Sequence, residues 1–151
     1  MTDAVGTAFT TEELLSQARG NAAAFVLTTI AYLKERGLAV EEYVEFFGRQ
    51  FAPGWDELRA RTVGEVARAV TKNAVSVGCT LGSFSEDDTR AEVLFTGWPD
   101  AEQISCVLGL DRSASDAMWE SFYPIMERLG IRFAWRREDR AVRLTFERDS
   151  A

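Results

Sequence analysis

The chain of 151 residues reads as an α+β protein: N-terminal helices packed on an antiparallel sheet made of two hairpins, in the order helices, hairpin, two helices, hairpin. Three observations predict this. Apolar residues recur at helical spacing through the first half. "RAEVLFTGW", "IRFAWRR" and "AVRLTFE" alternate apolar and polar residues, as strands wetted on one face do. Short turn-forming runs, "SEDDT" and "RED", join strand to strand.

The elements follow in order. Residues 1–9 carry no pattern and are expected to be loose. Thr10 and Glu13 form a capping box that opens a helix. Gly20 is expected to interrupt it, with a second helix from about Ala22 to Arg36 stopped by Gly37. That helix is apolar nearly all round, through Phe25, Val26, Leu27, Ile30, Tyr32 and Leu33, which marks it as central or covered by a partner. A third helix shows Tyr43, Phe47 and Phe51 every four residues and ends at Pro53-Gly54, and "DELRA" is read as one more turn. Thr62 and Glu65 cap the next helix, whose apolar face is Val63, Val66, Ala67 and Val70.

The period then changes to two. Val75, Val77, Cys79 and Leu81 are expected on one face of a strand, and Ala91, Val93 and Phe95 on one face of the next. Asp100 caps a short helix that Gly109 stops. "SASDAMWESFYPIMERLG" gives a longer helix with Met118, Phe122, Ile125 and Leu129 on one face and a kink at Pro124. The closing strands place Ile131, Phe133 and Trp135, then Val142, Leu144 and Phe146, on one face, with Arg132, Arg136, Arg143, Thr145 and Glu147 on the other.

Composition limits the chemistry. Seventeen basic and 24 acidic side chains give a formal charge of −7, and residues 128–151 reverse the sign with seven arginines against four acids. An acidic body argues against nucleic acid as a partner. There is no basic, apolar leader pattern and no run of about 18 apolar residues, so no membrane span is expected. Two cysteines, Cys79 and Cys106, fit a reducing cytoplasm. The absence of histidine removes the serine–histidine triad and histidine-ligated zinc or haem. Neither a catalytic residue, a metal site nor a cofactor is therefore assigned.

From about Val77 to Arg148 the chain resembles the 4-vinyl-reductase-type domains, small-molecule-binding modules distantly grouped with haem-NO-binding-type sensor folds. The resemblance rests on "GCTLGSFSEDDTRAEVLFTGW", "ISCVLG", "MWESFYPIMERLG" and "IRFAWRREDRAVRLTFE". The cysteines that such domains carry in the closing hairpin are missing here, so no metal site is carried over. The resemblance implies an apolar pocket between helices and sheet, used for binding.

The candidate pocket residues are Phe25, Thr29, Tyr32, Phe47, Trp98, Cys106, Trp119 and Tyr123, with Thr29, Tyr32 and Tyr123 as orienting groups. The expected ligand is a small apolar or aromatic molecule. Gly78, Gly82 and Gly97 are read as leaving room for a ligand or a close-packed helix. With no evident output domain, a separate partner or a homodimer built on the helix around Phe25 is expected to carry the signal. Two alternatives belong to other classes: a small hydrolase or isomerase using Cys106 or an acidic residue, and a dimeric interaction or scaffold module. For the acidic residues the commoner fate is capping for Asp100 and Asp111 and a solvated helix face for Asp116 and Glu120. The arginine face is read as charge that blocks edge pairing or pairs locally, or else as a surface for anions.

Overall fold

The computed structural model describes residues 9–97 and 99–149, with the side chains of residues 99–102 left aside. The looseness expected of residues 1–9 falls almost wholly outside this range, as does Trp98.

Helix α1 runs unbroken over Thr11–Glu35. Thr10 and Glu13 close the expected capping box, with Glu13 N–H donating to Thr10 Oγ1 at 3.1 Å and Thr10 N–H donating to Glu13 Oε2 at 2.7 Å. Gly20 does not divide the helix. A single mid-helix glycine costs only about 1 kcal/mol against alanine, and the alanine-rich run after it restores the helix. The left-handed Gly37, at φ 66°, ends α1, and the Leu38 N–H reaches back to the Leu33 carbonyl at 2.9 Å.

Helix α2 covers Val40–Phe51 and continues as a 3-10 segment over Ala52–Leu58, which takes in part of the extra turn expected at "DELRA". Helix α3, Val63–Ser76, is capped by Thr62 and Glu65 and buries Val63, Val66, Ala67 and Val70 as expected. It reaches further than expected. Val75 lies in its last turn and Val77 at its cap, so the alternation from Val75 to Leu81 does not begin a strand there. The helix outlasts its pattern because Ala74 and Cys79 complete a core that the helix already faces. Gly78, at φ 104°, turns the chain into strand β1, Thr80–Glu86.

Strand β2, Arg90–Gly97, buries Ala91, Val93 and Phe95. Short helices α4, Pro99–Val107, and α5, Arg112–Asp116, follow. The long helix expected over residues 113–130 is broken into α5, a 3-10 segment at Ala117–Ser121, and α6, Phe122–Leu129. Pro124 therefore sits in the first turn of α6, where a missing N–H costs no helical bond, rather than at a mid-helix kink. Gly130, at φ 68°, ends α6.

Strands β3, Arg132–Glu138, and β4, Ala141–Glu147, form the closing hairpin around Asp139 and Arg140. All pairings are antiparallel, in the order β1-β2-β4-β3, so the two hairpins share one sheet. Val93 opposes Leu144 and Ala91 opposes Phe146, which aligns the two buried faces in one layer. Helices α3 and α6 cover that layer in one core. A second, smaller core joins Leu27 and Ile30 of α1 to Ile104 of α4, Leu108 just after it and Ala114 of α5.

The other face of the sheet is a lattice of charge. Glu138 accepts from Arg143 Nε at 2.8 Å and from Arg136 Nε at 2.7 Å, while Arg90 Nη1 donates to Glu147 at 2.7 Å. Glu92 bridges Arg90 and Arg143. Arg132 and Arg143 are thus engaged across strands by glutamates on the sheet, and Arg136 by Glu138 on its own strand.

Candidate functional site

A cavity of about 250 Å³, open on one side, lies among the helices and the turn before β1. None of the described strand residues lines it, so it is not the pocket between helices and sheet that the sequence led us to expect. Helix α1 supplies Ala22 and Val26, and α2 supplies Phe47 and Phe51. Trp55 comes from the 3-10 segment after α2. The end of α3 and the turn beyond it give Asn73, Ala74, Val77 and Cys79. Met118, Trp119 and Ser121 come from the second 3-10 segment, with Phe122 and Ile125 from α6.

Local packing places these groups. Gly48 is fully packed against the second 3-10 segment: a Cβ there would stand 2.2 Å from the Ser121 carbonyl oxygen. Only glycine lets the backbones come that close, and the approach brings Phe47 and Phe51 to the same space as Trp119 and Phe122. Trp119 is held from behind by Phe95, stacked at 5.4 Å between centroids and 18° between planes. Phe122 packs on Phe133 outside the cavity at 6.0 Å and meets Trp55, a fellow wall residue, edge-on at 6.1 Å. Trp119 and Phe122 are thus backed by aromatic rings outside the cavity.

The lining is nearly all apolar. Its polar groups are the Asn73 amide, the Ser121 hydroxyl, the Cys79 thiol and the indole N–H groups. Ser121 is buried and its Oγ donates to the Met118 carbonyl at 2.6 Å, so its one proton is already used. Burial pushes the Cys79 thiol up to about 12, so it is a neutral thiol at ordinary pH. Among the described residues the lining includes no carboxylate, ammonium or guanidinium group. It can enclose an apolar molecule and orient it by one or two hydrogen bonds.

Of the residues singled out from the sequence, the structure brings Phe47 and Trp119 together on the cavity wall. The others stand elsewhere. Phe25 is 77% exposed on the outer face of α1. Tyr32 is exposed on the same face, beneath the Arg36 guanidinium at 5.3 Å. Thr29 is half-buried and donates to the Phe25 carbonyl at 2.9 Å. Tyr123 packs edge-on against Phe133 at 5.3 Å. Cys106 is an exposed free thiol on α4, and Trp98 lies outside the described residues. Gly82 lies beside the Thr96 methyl group, where a Cβ would come within 2.5 Å of it, and Gly97 pairs with Thr80, so neither opens space for a guest.

Val26, Trp55 and Met118 are wall residues that the sequence did not single out for the pocket. Phe51 and Phe122, which the sequence offers as core packing or as pocket lining, also stand on the wall. Asp116 differs from its expected solvated position. It is 7% exposed, and both its oxygens accept from the Arg137 guanidinium. Ser105 and Ser115 share a buried hydrogen bond of 2.7 Å nearby. These groups join α4, α5 and β3 and do not line the cavity. Among the described residues no three histidine, cysteine or acidic side chains gather at metal-binding spacing. None of the described helices is long and apolar enough to cross a membrane.

No protein-family model matches the chain, and no curated protein matches it.

Proposed function

We propose that the chain is a sensor-like small-molecule-binding domain whose guest is a small apolar or aromatic molecule, with no catalysis of its own. One observation carries this: a cavity of about 250 Å³ with an apolar lining, whose wall rings Trp119 and Phe122 are backed by Phe95 and Phe133 outside it. The volume suits a molecule of one or two rings, a little below the usual range for drug-sized guests. The resemblance of residues 77–148 to 4-vinyl-reductase-type domains supports the same reading. A location in the cytoplasm belongs to it, in keeping with the free thiols Cys79 and Cys106.

Helix α1 links the cavity to the surface. Val26 and Ala22 border the guest, while Phe25, one residue away, faces outward. A guest that prefers one setting of α1 shifts the population of that setting and with it the outer surface. A homodimer is the partner in this reading. No observation favours an enzyme using Cys106, which is exposed and stands outside the cavity.

The test is titration with the fluorescent probe anilinonaphthalene sulfonate, alongside native mass spectrometry of the purified chain. Saturable enhancement that Ala22→Trp abolishes, with the circular dichroism unchanged, supports the reading. Absence of any bound mass together with probe binding that survives both Ala22→Trp and Ala74→Phe sinks it.

A further inference from the structure

Among the described residues, none covers one face of helix α1 along its length. Leu14, Ala18, Asn21, Phe25, Thr28 and Tyr32 are all exposed, and they recur at alternating steps of four and three. That spacing is the seam of a helix pair. The buried side of α1, through Ala23, Leu27 and Ile30, lies opposite and is already satisfied by α4 and α5. Residues 11–18 are exposed all round, so the first two turns of the helix stand clear of the body. Leu14 and Leu15 are about half-exposed on them.

We propose that this face binds a second copy of the chain, with the two α1 helices antiparallel. The register follows from the pattern. Paired about Ala23, Leu14 meets the partner copy's Tyr32, Ala18 meets Thr28, and Asn21 meets Phe25. Each large side chain then faces a smaller or complementary one, and the same three contacts recur on both sides of the two-fold axis. The flanks, at Ala22, Ala24 and Ala31, are small enough for close approach. Charge favours the direction. The first turn carries Glu12 and Glu13, with Glu13 folded onto Thr10, and the far end carries Lys34, Glu35 and Arg36, a net positive end that this register sets opposite the first turn of the other copy. A parallel pair would put Glu13 beside Glu13 and Arg36 beside Arg36. Each overhanging first turn also gains the far end of its partner to rest on. A seam of 25 residues is about 37 Å long.

The dimer does not depend on a guest in the cavity, and its test reads mass rather than ligand. Sedimentation equilibrium of the full chain is expected to give a dimer in the micromolar range. Phe25→Glu, at a position 77% exposed, should abolish it while leaving the circular dichroism and unfolding midpoint of the monomer intact. Direction is read by cysteine pairs in a Cys106→Ser background. Leu14→Cys and Tyr32→Cys chains should cross-link only when mixed, since the two positions lie about 27 Å apart along one helix. A monomer throughout the micromolar range, a dimer that survives Phe25→Glu, or cross-linking of either cysteine variant with itself alone would overturn the proposal.

Discussion

The indole of Trp119 lies 5.4 Å from the ring of Phe95, nearly parallel to it, and joins the sheet to the 3-10 segment that walls the cavity. One side of Trp119 is core and the other faces open space. Its truncation therefore acts on both stability and binding. Trp119→Ala is expected to destabilise the fold by about 3–5 kcal/mol in urea unfolding, the usual cost of removing a large buried aromatic. Phe47→Ala, at a half-buried position, should cost clearly less while still weakening probe binding. Equal costs at the two positions would show that Trp119 is not the support of the wall.

The Asp116 carboxylate and Arg137 guanidinium tie α5 to β3 at a site that is largely dry. Asp116→Asn keeps the shape and removes the charge that Arg137 faces. The expected loss is about 1.5–3 kcal/mol, the range for hydrogen bonds to charged groups. Chemical unfolding of the variant checks it, and a change below half a unit of that range would mean that solvent holds Arg137 equally well.

Acid should loosen the sheet. The Arg143 guanidinium, with Arg136, holds Glu138 down from 4.5 to about 2, and Arg128, with Arg59, holds Asp56 down from 3.8 to about 2. A carboxylate with a depressed folded pKa adds stability above its unfolded value, and that stability is lost as pH falls through the folded one. The melting temperature is thus expected to fall between about pH 4.5 and pH 2, and less steeply in Glu138→Gln. Asp56 is exposed and Glu138 half-buried, so high salt should flatten the dependence, the Asp56 part most.

The two thiols should separate cleanly. Cys79 is buried with its pKa pushed up to about 12, while Cys106 is exposed. Alkylation at mild alkaline pH is expected to modify Cys106 alone in the folded chain, and both thiols in denaturant. Prompt labelling of Cys79 in the folded state would mean that the cavity opens widely.

Much of the fold was legible because its cause is local. The capping boxes at Thr10 and Thr62 and the alternation in "AVRLTFE" depend on neighbours a few residues apart, and the structure carries them as read. Where the reading slipped, distant contacts had outweighed a local pattern. Val75 and Val77 alternate like strand residues, yet α3 holds one in its last turn and the other at its cap. The run from Ser113 to Gly130 looks like one helix, yet packing of α2 through Gly48 accompanies a 3-10 break in its middle.

The sequence by itself determined the class of the fold, the alternation of the closing strands and the chemistry ruled out by the lack of histidine, because periodicity and composition are properties of the chain alone. Only the tertiary structure decided that β2 pairs with β4 to join the two hairpins in one sheet, and which aromatics face a cavity. Phe25 and Val26 are neighbours on one apolar helix, and nothing in their spacing distinguishes the exposed residue from the wall residue. That choice depends on where α4, α5 and the second 3-10 segment come to rest. The same holds for Asp116, whose burial follows from the position of Arg137 on a strand 21 residues away.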